Sequence, residues 1–308
     1  MTEKILVIKL SALGDFIMAL GSMEAIRRHH KDAHITLLTT RPFLDIAQRS
    51  GYFNDIILDT RPKFYELHRW YFLFKMLNAG GFTRVYDLQL NKRTASYYRL
   101  FTHKPDWSGI VPGSALFYSN PDWRNMHAFK RHEEILKLAG IGVQLPDIAW
   151  MKSDISLFGI KKPYVLLIPG SAPQHPAKRW PVKNYTALAL KLARDGYQSV
   201  VLGTAAEADV TGRIAKSCPE ALDLCGKTSL YDIATLARGA AGAIGNDTGP
   251  THLITLAGCP TIALFCTTES SAALSAPVGK SVQVIEAENL ENISISDVYK
   301  KFNSGVVV

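Results

Sequence analysis

Short apolar runs and longer amphipathic stretches alternate along almost the whole chain. In the first half the spacing predicts strands over 4–10, 35–39, 55–58 and 84–88. It predicts helices over 15–29, 42–49, 65–77 (strongly aromatic), 92–101 and 126–138, the last stopped by Gly140. Residues 141–163 mix Gly, Pro and polar side chains with weak periodicity and read as a linker. A second series follows, with strands over 164–168, 199–202, 241–245, 261–265 and 282–285. Its helices are expected over 183–194, 207–217, 230–238, 250–257 and 295–302. Strands separated by helix-length segments imply parallel sheets with crossover helices. The expected fold is α/β, with two Rossmann-like, doubly wound domains facing a cleft, over 1–155 and 156–308. The last helix could return to pack on the first domain.

One junction in this pattern carries candidate chemistry. The run Ile244-Gly245-Asn246-Asp247-Thr248-Gly249-Pro250-Thr251-His252-Leu253 passes from a buried strand into an apolar helix. Pro250 falls in the first helical turn, which does not need its missing N–H, and Thr248 and Gly249 fall at the cap. Free backbone N–H groups and a helix dipole then open at a strand end, an arrangement that binds phosphate. Asp247, Thr248, Gly249 and His252 are the candidate ligands there. A second strand-end loop starts at Ile168-Pro169-Gly170-Ser171 and runs through Lys178-Arg179-Trp180-Pro181. Ser171 offers a hydroxyl and Lys178 a positive charge; with the first turn they could neutralise a diphosphate. Glu207, after another strand, could hold a ribose diol or serve the helix dipole.

In the first half, Asp15 lies where the first helix begins. It could stabilise that N-terminus or take a proton from a hydroxyl at the mouth of a cleft. No G-x-G-x-x-G dinucleotide fingerprint follows the first strand. Lys92 and Arg93 open a helix, where positive charge is unfavourable, so binding competes with solvated charge as their explanation.

Composition narrows the classes only modestly. The chain has 308 residues, 47% hydrophobic and 20% charged, with no apolar run long enough for a membrane span and no signal-peptide pattern at its start. Four cysteines, Cys218, Cys225, Cys259 and Cys266, form no C-x-x-C pair and no zinc-ligand spacing, so no metal site is expected. The net charge of +8 is uneven: residues 1–154 hold 21 Lys and Arg against 15 Asp and Glu. An anionic partner such as a phosphorylated substrate or a lipid surface fits this, as does a basic solvated surface. No aromatic-plus-basic motif supports nucleic-acid binding.

The segments Ser11-Ala12-Leu13-Gly14-Asp15, Asp87-Leu88-Gln89, Pro176-Ala177-Lys178-Arg179-Trp180-Pro181 and Asn246-Asp247-Thr248-Gly249-Pro250-Thr251-His252-Leu253 together resemble glycosyltransferase family 9. The resemblance runs from the first strand to about Gly279. It implies a GT-B architecture and inverting, metal-independent transfer of heptose from ADP-heptose to the inner core of lipopolysaccharide. ADP-heptose would be the donor substrate, with no cofactor. By the same resemblance Asp15 would be the general base and Lys178 would hold the diphosphate. Thr248, Gly249 and His252 would line the phosphate turn, Asp247 would contact sugar hydroxyls and Glu207 the ribose. Ser171 and Thr228 would complete the donor site; Thr228 stands where some members carry a Met at the adenine. Ser11, Gln89, Lys92 and Arg93 would face the acceptor, an anionic lipid A–core oligosaccharide. The implied location is cytoplasmic, peripheral on the inner face of the inner membrane. The chain departs from the family pattern at Pro173, at His175 and over Phe265-Cys266-Thr267-Thr268-Glu269. Another nucleotide-sugar donor or acceptor, a GT-B-like epimerase and an inactive nucleotide- or lipid-binding module are the competing readings.

Overall fold

The computed structural model describes residues 2–305 and divides into two compact units, 1–147 and 148–308. In the first unit the elements are β1 (Lys4–Ile8), α1 (Leu13–His29), β2 (His34–Thr39), α2 (Leu44–Arg49), β3 (Asp55–Leu58) and α3 (Leu67–Ala79). They continue with β4 (Arg84–Asp87), α4 (Lys92–Tyr97), β5 (Asp106–Gly109), β6 (Leu116–Phe117) and α5 (Ala128–Lys137). The second unit holds β7 (Tyr164–Ile168), α6 (Val182–Arg194), β8 (Gln198–Val201), α7 (Ala208–Ser217), β9 (Leu222–Asp223) and α8 (Leu230–Gly239). It is completed by β10 (Gly242–Asn246), α9 (Gly249–Leu256), β11 (Thr261–Cys266), α10 (Ala272–Ser275), β12 (Val282–Ala287) and α11 (Ile295–Gly305).

Each unit is built on a six-stranded sheet whose strand pairs are parallel. The first sheet runs β3-β2-β1-β4-β5-β6 and the second β12-β11-β10-β7-β8-β9, the same order read from opposite edges. In this topology the chain reverses its direction of winding between β1 and β4, and between β7 and β10. Ligands of such sheets bind at these switch points, beyond the carboxyl ends of the strands. The central strands are almost wholly apolar because helices cover both faces: Ile5 to Ile8 and Val165 to Leu167 are fully buried. Trp107 anchors the core of the first unit and Trp180 that of the second.

The strands missing from the sequence reading are β5, β6 and β9. Each is short, and β5 (Asp-Trp-Ser-Gly) carries a single large apolar residue, so none shows a period. The expected linker is not a free tether. Its first part lies on α1: a side chain at Gly21 would come within 2.3 Å of the Gln144 carbonyl, and Asp147 N–H donates to Glu24 at 3.3 Å. From Ile148 onward it is fastened to α8, because the Arg238 guanidinium donates to the carbonyls of Ile148 (2.6 Å) and Met151 (2.8 Å). Residues 148–155 therefore group with the second unit. The last helix, α11, contributes Val298 and Phe302 to the second unit's own core.

Candidate active site

The switch point of the second sheet gathers most of the donor-site candidates. β10 ends at Asn246, and α9 starts at Gly249 with Thr248 as its extended N-cap, Pro250 in its first turn and no side chain capping it. The first N–H groups of a helix have no partner within it, so this end presents donors and the positive end of the dipole. Gly245 lets the helix come close: a Cβ there would lie 2.5 Å from Thr251 Oγ1 and 3.0 Å from Ile168 Cβ.

Asp247 follows at the mouth of this turn. Its carboxylate accepts from Lys178 Nζ at 2.7 Å, and His252 Nε2 lies 3.7 Å from its other oxygen. The Asp247 and Lys178 side chains are only 8% and 16% exposed, so the pair is largely desolvated. Burial alone would push the carboxyl up. His252 and Lys178 outweigh it and hold Asp247 down at about 2. The other ring nitrogen of His252, Nδ1, is buried without a hydrogen-bond partner. The cluster thus combines a cation, an oriented imidazole with a spare nitrogen and an uncapped helix start.

The residues around it are largely occupied in shaping the loops. Ser171, 3% exposed, donates to the His175 carbonyl at 2.9 Å and accepts from Arg179 Nε at 3.1 Å. Arg179 therefore folds the loop that carries Lys178. Asn246 is wholly buried and ties four groups together. Its amide donates to Pro169 O (2.8 Å) and Gly170 O (3.2 Å), and its oxygen accepts from Trp180 N and Tyr185 Oη, both at 3.1 Å. Sequence reasoning assigned no role to Asn246, although its place at the end of a buried strand was the available signal. Glu207 closes a capping box, accepting from Thr204 N at 2.7 Å and Thr204 Oγ1 at 2.5 Å. It also packs on Gly170, where a Cβ would approach its carboxyl carbon to 2.8 Å. Thr228, half-buried, is in the neighbouring loop, which is joined to the Glu207 loop by Gly226 N–H donating to Gly203 O at 2.8 Å. Two of the departures from the family pattern meet: His175 Nδ1 is 2.8 Å from Glu269 Oε2.

The switch point of the first sheet holds Asp15 in the first turn of α1, where Oδ2 accepts from Ala12 N at 3.2 Å. Gln89 spends its side-chain oxygen on the same turn, accepting from Leu10 N (2.8 Å) and Ser11 N (3.0 Å). Ser11 Oγ accepts from the Arg61 guanidinium. Lys92 is exposed at the start of α4. Arg93 is not free: it donates to Tyr97 Oη at 2.8 Å and to Pro62 O at 2.7 Å, and Tyr97 in turn donates to buried Asp59 at 2.7 Å. Arg93 thereby fixes the loop after β3, and through it Arg61 and Ser11.

Beneath Asp15 is a set of buried ionisable groups, of which the sequence reading named only Asp87, as part of a segment resembling the family. Lys9 donates to Leu88 O at 3.1 Å, and burial pushes it down to about 8 against the pull of Asp15 and Asp87. Burial likewise pushes Asp87 up to about 6, partly offset by hydrogen bonds from Thr94, Leu90 and Gln89. It pushes His132, whose Nε2 is 3.0 Å from Leu88 O, down to about 3. In the sequence Lys9 looks like one polar position in a strand, with no sign of what surrounds it.

Comparison with known proteins bears on the family and the fold. The family model described as glycosyltransferase family 9 (heptosyltransferase) matches residues 70–302. Lipooligosaccharide heptosyltransferase 2 of Haemophilus influenzae is 34% identical over 110 residues, which are 34% of this chain and 32% of that protein, so the match spans about a third of that relative's length. Among solved structures, a family 9 glycosyltransferase from Veillonella parvula superposes with a TM-score of 0.84 at 21% identity, covering 100% of this chain and 98% of that one. The ADP-heptose lipopolysaccharide heptosyltransferase II of E. coli gives 0.76 at 21% identity, covering 99% and 98%. These likenesses establish the fold, and the family match over most of its length shows that the chain belongs to glycosyltransferase family 9.

Proposed function

We propose that the protein transfers heptose from ADP-heptose to the inner core of lipopolysaccharide, by inversion and without a metal. The observation that carries this reading is the Lys178–Asp247–His252 cluster at the uncapped start of α9. A nucleoside diphosphate fits it: the helix N–H groups meet one phosphate and Lys178 reaches another. Asp247, already ionised, accepts hydrogen bonds from sugar hydroxyls. Glu207 and Thr228, on adjoining loops, are assigned to the ribose and the base.

In the reaction the Asp15 carboxylate takes the proton of the acceptor hydroxyl. The freed oxygen forms a bond to the anomeric carbon while the bond from that carbon to the diphosphate oxygen breaks, and ADP departs. Lys178 and the α9 N-terminus offset the charge growing on the diphosphate; being fixed beforehand, they need no reorganisation. Ser11, Gln89 and Lys92 are assigned to the acceptor, and Arg93 to holding the loop beside them. Lys9 and Arg131 lie close enough to Asp15 to feel its charge, and these cations suit an acceptor rich in phosphate and carboxylate. The enzyme would work at the cytoplasmic face of the inner membrane.

The test is mass spectrometry of purified protein incubated with ADP-heptose and inner-core oligosaccharide. The reading predicts an acceptor heavier by one heptose together with free ADP. Turnover of other nucleotide sugars but not of ADP-heptose would overturn the donor assignment.

A further inference from the structure

The helix α3 is apolar on both sides. Its inner stripe, Trp70, Leu73 and Leu77, packs on the core of the first unit, which satisfies the usual requirement of an amphipathic helix. Its outer face ought then to be polar. Instead the outer face and the loop before it expose Phe64 (86%), Tyr65, Leu67 (73%), Tyr71, Phe72 (62%) and Met76. This patch is continuous in sequence and one-sided, the kind of surface that marks an interaction site rather than scattered exposure. It is also held in place. Trp70 Nε1 donates to Lys63 O at 3.0 Å and Arg93 to Pro62 O at 2.7 Å, so the loop is fastened just before Phe64 and Tyr65.

The charges around the patch identify what covers it. Lys63, His68, Arg69 and Lys75 are exposed among the apolar residues, with Lys63 Nζ 5.8 Å from the centre of the Tyr65 ring and Lys75 Nζ 5.0 Å from that of Tyr71. The one carboxylate in the segment, Glu66, is already used: it accepts from Lys63 N at 2.6 Å and pairs with Arg69 at 2.9 Å. A second copy of the chain related by a two-fold axis would set this cationic patch against itself. An anionic lipid surface satisfies both halves of the pattern. Aromatic and aliphatic side chains enter the boundary between headgroups and acyl chains, and the cations meet lipid phosphates.

We propose that α3 and the loop at 63–66 form a docking surface for an anionic bilayer. The choice of partner rests on the reading of the acceptor as lipid-linked. The test does not, because it uses vesicles without substrate. Wild-type protein should co-sediment with vesicles of phosphatidylethanolamine and phosphatidylglycerol and bind phosphatidylcholine vesicles more weakly. Salt should weaken the first interaction. The variant Phe64→Ser/Leu67→Ser/Tyr71→Ser should lose at least about tenfold in partitioning. Lys63→Glu/Lys75→Glu should weaken binding to the anionic vesicles alone. Transfer to a soluble core oligosaccharide should be unchanged in both variants. Failure of the wild type to bind, or equal binding by the triple variant, would overturn the surface. A wild-type dimer in sedimentation velocity that the triple variant converts to monomer would overturn it in favour of self-association. Vesicle binding by a protein that transfers no heptose would leave the surface standing and remove the proposed reaction instead.

Discussion

The two sheets share one strand order and bring polar side chains to the same place, yet burial has opposite outcomes there. At the switch point of the first sheet, desolvation prevails: Lys9 is pushed down to about 8, Asp87 up to about 6 and His132 down to about 3, each toward its neutral form. At that of the second, pairing prevails: Asp247 is nearly as hidden from solvent but is held at about 2 by His252 and Lys178. A buried charge persists only where partners replace the water it has lost. The second switch point holds a fixed charge pattern, the one assigned above to a diphosphate.

The largest effect that separates the two regions is on turnover. Asp15→Asn should lower kcat by about 10²- to 10⁴-fold, the usual contribution of general-base assistance. A kcat within a few-fold of wild type would move the chemistry away from the first unit. The next is on stability. Asp247→Asn leaves Lys178 buried without its partner and should lower the unfolding free energy by roughly 2–4 kcal/mol in urea titrations.

The counterpart substitution, Asp87→Asn, should cost less stability at neutral pH than Asp247→Asn, because desolvation already disfavours the charge it removes. The two carboxyls also differ in the sign of their pH dependence. The folded protein holds the Asp87 proton up to about 6, against an ordinary value of 3.8, so its contribution is full below 3.8 and is lost as pH rises to about 6. For Asp247 the folded value is lower than 3.8; its contribution of about 2 kcal/mol is present above 3.8 and is lost as pH falls toward about 2. Stability-against-pH curves of Asp87→Asn and Asp247→Asn should therefore flatten in different windows. If both flatten in the same one, the contrast fails.

How much of this was readable beforehand follows from the range of the forces involved. The long strands and helices, the α/β class and the strand-to-helix junction at 246–252 were legible, because apolar periodicity and a Pro-Thr-His helix start are local signals. β6 and β9 were not, since two residues carry no period and their pairing is set by neighbouring strands. Among site residues, Lys178 and Asp247 announced themselves as charges at strand ends. Asn246 did not, because its four hydrogen bonds reach residues more than sixty positions away. Arg93 was expected at the acceptor. The structure shows its bonds to Tyr97 and Pro62, partners that only the folding of the loop after β3 brings within reach. The buried set around Lys9 was hidden for the same reason: desolvation is a property of the packed unit.

The account's central claim is a division of labour, with the donor held by the second unit's turn and the proton taken by the first unit's carboxylate. Calorimetric titration of ADP into Asp15→Asn and Lys178→Ala tests it most directly. The claim predicts wild-type affinity for Asp15→Asn and a loss of at least about tenfold, or 1.4 kcal/mol, for Lys178→Ala. Unchanged ADP affinity in Lys178→Ala, or its loss in Asp15→Asn, would contradict it.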